Sequence, residues 1–245
     1  MTSATMSEPQ DDFWLFGYGS LIWKPPPHFD QRLPGYIEGY VRRFWQKTMA
    51  KSREITVAFQ DHRGTPEAPG RVATLIDRAH WETLTDHHDA PAEKVWGAAY
   101  HIPASHAAEV RDYLDIREIN GYSIQYTPFH PAAGSTGSAP IHCLVYIGLP
   151  ENPQFVGPQD PQKLAEHIVQ SKGPSGENKE YLYMLEHALL ELSAESGDEH
   201  ITDLAARCRQ VEARQGAAKG ADGAVPVGHP LHRIGSTEEQ EEVEK

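Results

Sequence analysis

Short apolar runs fill the first two thirds of the chain and predict β-strands. Six segments combine β-branched or aromatic residues with turn residues at their borders. Segments with continuous apolar runs are expected to be buried on both faces of a sheet. The predicted strands cover residues 13–18, 41–45, 71–76, 94–102, 122–129 and 141–149.

Apolar residues spaced three and four positions apart predict helices in the later part of the chain. These helices cover residues 104–119, 161–170, 178–193 and 199–214, and a flexible loop is expected at 132–140. Strands come early and helices late, without regular alternation. This order favours an α+β protein, built on a mixed, curled β-sheet or pseudo-barrel with flanking helices, over a doubly wound one.

Composition bounds the organisation and the partners of the chain. Its 245 residues are enough for one domain with a complete core, expected at 13–214 between a disordered tail at 1–12 and a disordered acidic tail at 215–245.

A net charge of -13 argues against nucleic-acid binding, and no apolar run predicts a membrane span or a signal peptide. Two distant cysteines, Cys143 and Cys208, fit a reducing compartment, so a cytoplasmic protein is expected.

Glu118 continues the apolar face of the helix predicted at 104–119. Val110, Leu114 and Glu118 follow one another at i, i+4 and i+8, which shelters this carboxylate from water. It lies in the last turn, before a cap expected at 120–121, where the helix dipole disfavours negative charge. A raised pKa is therefore expected, as general acid–base catalysis needs. The alternative is a frayed helix end with Glu118 solvated, or a Glu118 paired with a cation from elsewhere in the fold.

The stretch GYGS places two glycines at the end of the first predicted strand. Gly17 and Gly19 allow successive N–H groups to turn the same way and form a small nest for an anion or oxyanion, with the Ser20 hydroxyl as a further donor. No phosphate-loop motif is present. Taken alone, such a stretch is more often a tight turn or bulge than a binding site.

Several longer segments occur in a fixed order along the chain. Together they resemble the ChaC-like gamma-glutamylcyclotransferase family, in its glutathione-specific branch, over residues 13–195. The segments are FGYGSLIW, PGYIEGYVRRFWQ, DHRGTPEAPGRVATL, YLDIREINGY, LVYIGLPENPQFVGP and GPSGENKEYL.

The resemblance implies a fold, a reaction and a site. The fold is a small α/β pseudo-barrel, and the reaction converts glutathione to 5-oxoproline and cysteinylglycine without metal, nucleotide or other cofactor. In such proteins the GYGSL loop holds the γ-glutamyl group, and the glutamate of REINGY, here Glu118, is the acid–base residue. The expected substrate-binding residues are Gly17, Tyr18, Gly19, Ser20, Leu21, Ile22, Arg43, Arg71, Tyr122 and Tyr181.

Four of these residues can also be explained without any contact to a substrate. Tyr122 and Tyr181 can supply pocket hydroxyls or belong to the core. Arg43 and Arg71 can contact substrate carboxylates, although arginines on strands are readily solvated, as is expected for the adjacent Arg42.

The chain departs from the family at KTMAKSREITVAF, residues 47–59, an apparent insertion between RRFWQ and DHRG. This segment is interpreted as a surface loop or a gene-model error. If it folds near the pocket, the assignments of Arg43 and Arg71 are weakened.

Other nucleophile and metal chemistry is disfavoured. His87 and His88 are adjacent and no HExxH motif occurs, so solvated loop histidines are expected rather than metal ligands. His142 and Cys143 are neighbours on a strand and face opposite ways, so Cys143 is expected to be a small buried residue.

Three functions remain open from the sequence. The first is a glutathione-specific cyclotransferase that acts as a monomer, with one pocket per chain. The second is a cyclotransferase for other γ-glutamyl amino acids or amines. The third is a noncatalytic protein of the same fold that binds a γ-glutamyl ligand.

Overall fold

A barrel of five strands carries the fold. The computed structural model describes residues 11–48, 62–118, 122–134 and 139–222, without the side chains of residues 113, 115–118, 122 and 218–222. In chain order the elements are β1 (Phe13–Gly17), a 3₁₀ turn (Ser20–Ile22), β2 (Gln31–Glu38), β3 (Tyr40–Thr48), β4 (Gly70–Asp77), α1 (Arg78–Trp81), β5 (Lys94–Ile102), a 3₁₀ turn (Ala104–His106), α2 (Ala107–Glu118), β6 (Tyr122–Pro131), β7 (Ile141–Gly148), α3 (Pro161–Gln170), β8 (Lys172–Gly173), β9 (Gly176–Glu177), α4 (Asn178–Leu192) and α5 (Glu199–Asp222).

The barrel closes in the order β1-β5-β2-β6-β7. Neighbouring strands are antiparallel except where β7 returns to β1, a parallel contact that pairs Trp14 with Cys143 and Leu15 with Leu144. This closure leaves no free edge in the barrel. The expected mixed, curled sheet with flanking helices is confirmed.

The strands β3 and β4 form a separate antiparallel pair with a register shift between Arg43 and Gln46. One face of this pair packs under α3, α4 and α5, whose apolar residues form the first hydrophobic cluster together with Phe44, Val72 and Trp96. The opposite face of β3 packs against α1 through Val41, Trp45, Ile76 and Trp81. The pair therefore joins the helices to the barrel.

Two further clusters lie at the barrel. The second cluster fills its interior with residues such as Phe16, Val95 and Phe129. The third cluster lies between the barrel and α2, where Val110 and Leu114 are fully buried. The apolar face expected for this helix is confirmed.

All six predicted strands are present, and α3 has the predicted bounds. The sequence missed β2, because Pro34 and Gly35 in its middle are typical of a turn. Within the fold Gly35 is needed for packing, since a Cβ there would lie 2.2 Å from the His130 carbonyl oxygen and 2.5 Å from the Phe129 ring. The helix predicted at 104–119 is divided into the 3₁₀ turn and α2.

Several expected boundaries fall at the limits of the described residues. Helix α5 continues to Asp222, past the expected domain end at 214. Of the apparent insertion, Lys47 and Thr48 belong to β3, whereas 49–59 lie outside the described residues, as do 1–10, 135–138 and 223–245. Within the described ranges, no helix combines the length and apolarity needed to cross a membrane.

Candidate active site

The loop after β1 lies where three hydrophobic clusters meet. Tyr18 packs into the second cluster, in the barrel interior. Leu21 packs into the third cluster, against the face of α2, and Ile22 packs into the first cluster with residues of α4. All three side chains are at most 8% exposed. Because each side chain is anchored in a different layer, the loop backbone between them is held in one position.

Hydrogen bonds fix the same loop. The Ile22 amide donates to the Gly19 carbonyl at 2.9 Å and the Trp23 amide donates to the Ser20 carbonyl at 3.2 Å, which closes the 3₁₀ turn. The Lys24 amide also donates to the Ser20 carbonyl, at 2.8 Å. The Tyr100 hydroxyl of β5 donates to the Leu21 carbonyl at 2.6 Å. The carbonyls of the turn thus accept hydrogen bonds, while the first N–H groups of such a turn have no acceptor within it.

Both glycines of the loop are in close contact with neighbouring atoms. A Cβ on Gly17 would lie 2.6 Å from the Leu21 Cβ, and a Cβ on Gly19 would lie 2.9 Å from the Tyr181 hydroxyl. Gly17 therefore allows the chain to turn tightly, whereas Gly19 allows a side chain from α4 to approach the loop.

Tyr181 is held at the loop by interactions at the start of α4. Glu177 and Glu180 form a capping box, and the Arg63 guanidinium donates to the Glu180 carboxylate at 2.9 Å. The buried Asn178 amide bonds both backbone groups of Arg71, donating to the carbonyl at 2.6 Å and accepting from the amide at 2.7 Å. These contacts fix the first turn of the helix, and with it the Tyr181 ring.

Helix α2 ends at Glu118, one turn beyond Leu114. Leu114 belongs to the same hydrophobic cluster as Leu21, so the helix and the glycine loop bury side chains in one part of the core. The backbone of Glu118 lies about 6 Å beyond that of Leu114 along the helix axis. The Glu118 and Tyr122 side chains and the cap expected at 120–121 lie outside the described residues.

Arg42 interacts electrostatically with Tyr18 of this loop and with Tyr181, which the sequence did not predict. Its side chain is 2% exposed, so the expectation that Arg42 is solvated is wrong. Its guanidinium donates to the Trp96 carbonyl and to Asp198. Burial lowers its pKa, while Asp198, Tyr181 and Tyr18 act in the opposite direction. A buried positive charge therefore lies within electrostatic reach of the loop.

Arg43 and Arg71 are not brought to the loop. Successive residues of a strand face opposite ways, so Arg43 points toward α1. There its guanidinium binds Asp86 at 2.5 Å and the carbonyls of Arg42 and His88. The half-buried Arg71 guanidinium donates to the carbonyls of Pro69 and Gly70 and to Gln159. Both arginines contact neighbouring protein groups.

Cys143 and its neighbour His142 do not form a nucleophile–base pair, and His87 and His88 lie in different surroundings. His87 is exposed, as expected, but His88 is not a solvated loop residue, because its ring bonds Asp203 at 3.0 Å and His200 at 3.2 Å. Cys143 is fully buried, which raises its pKa to about 12, while His142 is exposed beside Tyr126. The expected buried thiol is confirmed.

Comparisons with known proteins identify the relatives of this chain. The family model described as ChaC-like protein matches residues 13–211. A glutathione-specific gamma-glutamylcyclotransferase from Schizosaccharomyces pombe is 42% identical over 203 residues, covering 82% of this chain and 95% of that protein. The human glutathione-specific gamma-glutamylcyclotransferase 1 is 32% identical over 190 residues, covering 77% of this chain and 74% of its own length.

A solved structure extends the similarity to three dimensions. The crystal structure of a selenomethionine-labelled gamma-glutamyl cyclotransferase specific to glutathione from yeast superposes with a TM-score of 0.70 at 34% identity. The match covers 82% of this chain and 97% of that one. Since the family model spans the barrel, the glycine loop and all the major helices, this chain belongs to the ChaC-like protein family.

Proposed function

We propose that this protein is a gamma-glutamylcyclotransferase that cleaves glutathione to 5-oxoproline and cysteinylglycine. The observation that carries the proposal is that α2, the helix that ends at Glu118, and the glycine loop share one hydrophobic cluster, to which Leu114 and Leu21 belong. On this basis we assign the acid–base role to Glu118 and the stabilisation of negative charge to the backbone donors of the loop. Relatives described as glutathione-specific enzymes support the choice of substrate.

The reaction is intramolecular. The α-amino nitrogen of the substrate attacks its own γ-carbonyl carbon, a new C–N bond closes the five-membered lactam, and the original amide C–N bond breaks. Well-oriented intramolecular reactions reach effective molarities of about 10⁵ M or more. The protein therefore supplies neither a nucleophile nor an activated water. Its task is to hold a folded substrate and to handle protons and charge.

In the proposal, Glu118 performs both proton transfers. It accepts a proton from the α-ammonium group, which frees the nitrogen lone pair for attack. It then donates that proton to the amine of cysteinylglycine as the amide bond breaks. The attacking nitrogen starts with three hydrogens and the lactam nitrogen keeps one, so a second proton follows the same route through Glu118 once the new C–N bond has formed, and cysteinylglycine leaves in its ammonium form. One carboxylate therefore suffices, because both protons pass from the attacking nitrogen to the departing nitrogen.

The loop from Gly17 to Leu21 stabilises the negative charge of the bound substrate or of the tetrahedral intermediate. Its N–H groups supply the hydrogen bonds, and a single oxyanion donor contributes about 3 kcal/mol to transition-state stabilisation. The three buried anchors of the loop keep these donors in place before the substrate arrives. Arg42 adds a buried positive charge that favours an anionic ligand.

The proposal extends to the assembly state, the compartment and the partners of the protein. We propose that the protein acts as a monomer in the cytoplasm, needs no cofactor for the reaction and binds neither nucleic acid nor membrane. The net charge of -13 supports the absence of nucleic-acid binding, and the buried free thiols of Cys143 and Cys208 are compatible with a reducing compartment.

The test compares three substrates with the purified full-length protein. Glutathione, γ-glutamylcysteine and γ-glutamylalanine are incubated separately, and 5-oxoproline is followed by mass spectrometry with Glu118→Gln protein as the blank. Product from glutathione alone supports the proposal. Comparable kcat/KM values for all three would assign a broader γ-glutamyl specificity instead. Binding of glutathione without any 5-oxoproline would overturn the enzymatic assignment.

A further inference from the structure

Two histidines and a glutamate converge at the end of the barrel where β5 leads into α2. The Nε2 atom of His28 lies 3.1 Å from Oε1 of Glu109, and the Nδ1 atom of His106 lies 3.4 Å from Oε2 of the same carboxylate. The two imidazole rings stack in parallel with their centres 4.1 Å apart. One ligand atom from each of the three residues falls within 4.8 Å of the other two.

The backbone of His28 adopts a conformation that the surrounding structure must impose. Its φ angle is +61°, in the left-handed region that few residues other than glycine occupy. The next two residues hold it there. The Phe29 ring packs edge-on against Tyr100, with ring centres 5.2 Å apart, and the Asp30 carboxylate bonds Nδ1 of His101 at 2.6 Å. The His28 side chain is thereby directed toward α2.

The other two residues are anchored to the same strand. β5 ends at Ile102, the 3₁₀ turn Ala104–His106 follows at once, and α2 begins at Ala107. His106 and Glu109 therefore extend from the turn and from the first turn of the helix. His28 on one side, and His106 and Glu109 on the other, are therefore both fixed to the end of β5. This common attachment holds the three side chains close together in the absence of an ion.

We propose that His28, His106 and Glu109 form a site for a divalent transition-metal ion of the zinc class. Two imidazole nitrogens and a carboxylate oxygen are the donor set of three-residue zinc sites, in which water completes a tetrahedron. The same donors accept other late first-row ions, with affinity rising toward copper. The imidazoles bind through the Nε2 lone pair of His28 and the Nδ1 lone pair of His106. Because these lone pairs lie in the ring planes, the two stacked rings must rotate out of their parallel arrangement when the ion binds.

The position of the site indicates a structural role. The segment 24–30 follows directly from the glycine loop, and α2 is the helix that ends at Glu118. An ion held by His28 on one side and by His106 and Glu109 on the other links these two elements. The ion lies at the opposite end of α2 from Glu118 and takes no part in the cyclisation, so the sequence expectation of a metal-free reaction is unaffected.

The experiment measures metal binding directly. Purified full-length protein is treated with chelator, dialysed and titrated with Zn²⁺ by calorimetry, and with Co²⁺ while its visible d–d absorption is recorded. The wild type is expected to bind one equivalent, to show the intense absorption of tetrahedral Co²⁺, and to melt at a higher temperature with Zn²⁺. His106→Gln and Glu109→Gln are each expected to weaken binding at least about tenfold.

A matched control separates the site from ordinary surface histidines. His187 and Glu191 form another exposed pair, 3.5 Å apart on α4, and nothing among the described residues adds a third ligand there. His187→Gln is expected to bind the metal like the wild type. The proposal is overturned if the wild type binds no Zn²⁺, or if His106→Gln and His187→Gln bind it equally. Circular dichroism verifies that each variant is folded.

Discussion

The Tyr181 hydroxyl lies beside Gly19 so closely that a Cβ on the glycine would be 2.9 Å from it. The Tyr181 ring cannot easily retreat, because it is 3% exposed and packs edge-on against Trp23 and Phe44 at 5.2 Å and 5.7 Å. The glycine loop and the first turn of α4 are therefore in direct contact. A larger residue in the loop must displace one of them.

Gly19→Ala is expected to lower kcat/KM for glutathione because the new methyl group pushes the loop donors away from the substrate. The loss should be smaller when Tyr181→Phe is also present, since removal of the hydroxyl makes room for the methyl group. A double-mutant cycle on kcat/KM and on the free energy of unfolding measures this coupling, which for residues in contact is about 0.5–3 kcal/mol. Strict additivity of the two changes would contradict the contact.

Gly197→Ala is the control for this cycle. A Cβ at Gly197 would meet no described atom within 4 Å, so this variant is expected to retain wild-type activity and stability. Equal losses in Gly19→Ala and Gly197→Ala would indicate that backbone flexibility, rather than space beside Tyr181, limits activity.

Glu118→Gln is expected to remain folded and to lose turnover by about 10²–10⁴-fold, the usual contribution of a general acid–base group. Glutamine keeps the size of the side chain but cannot take up and return a proton. Steady-state kinetics with glutathione checks the loss, and calorimetric titration checks that glutathione still binds. Glu166→Gln, on the exposed face of α3, should retain wild-type activity. Wild-type turnover in Glu118→Gln would exclude this residue as the acid–base group.

Much of the fold could be predicted because the deciding signals are local. The six strands and α3 follow from apolar runs and helical spacing within single segments. Strand β2 could not be predicted, because Pro34 and Gly35 form a local turn signal. Its strand conformation depends on pairing with β5 on one side and with β6 on the other, and both partners are distant in sequence.

Some features of the candidate site are also set by local sequence, whereas others depend on residues distant in the chain. Val110 and Leu114 form the buried face of α2, and Gly17 marks the turn after β1. Each of these features depends only on residues close together in the sequence, so each could be predicted. The choice between Arg42 and Arg43 is not local, because apolar neighbours flank both positions on β3. Only the packing of α4 and α5 on one face, and of α1 on the other, brings Arg42 near the loop.

Arg43→Lys is expected to destabilise the protein without raising KM for glutathione. A lysine has one nitrogen, whereas the Arg43 guanidinium bonds Asp86 and two carbonyls, so buried acceptors lose their partners. Each acceptor left unsatisfied costs about 1–3 kcal/mol. Chemical denaturation measures the loss and steady-state kinetics measures KM. A raised KM at unchanged stability would instead place Arg43 on the substrate, as the sequence predicted.

Arg71→Lys tests the other arginine predicted from sequence. The Arg71 guanidinium is half-buried and donates to the carbonyls of Pro69 and Gly70, so a smaller loss of stability than in Arg43→Lys is expected, again with KM unchanged. The contacts of Asn178 involve only the Arg71 backbone and should persist in this variant. A selective rise in KM would contradict the structural role.

The buried His200 is expected to make the protein less stable as pH falls below neutrality. Its Nε2 atom accepts from the Phe44 amide at 3.2 Å, so the proton of the neutral ring is on Nδ1, where it is donated to His88. Burial, together with the charges of Arg43, His88 and Arg42, holds the pKa of His200 well below its usual value. Protonation near pH 6.5 therefore occurs in the unfolded chain and not in the folded one.

The contribution of His200 to stability is present above about pH 6.5 and decreases as pH falls, by at most about 1.4 kcal/mol per pH unit. His200→Gln keeps an acceptor for the Phe44 amide but has no titrating ring. We expect this variant to be less stable than the wild type at about pH 7.5, and the difference to narrow at about pH 5.5. Urea denaturation at both pH values measures the change, with His187→Gln, an exposed histidine, as the control. A difference between wild type and His200→Gln that is the same at both pH values would mean that His200 titrates alike in the folded and unfolded chains, because only a proton bound unequally by the two states changes stability with pH.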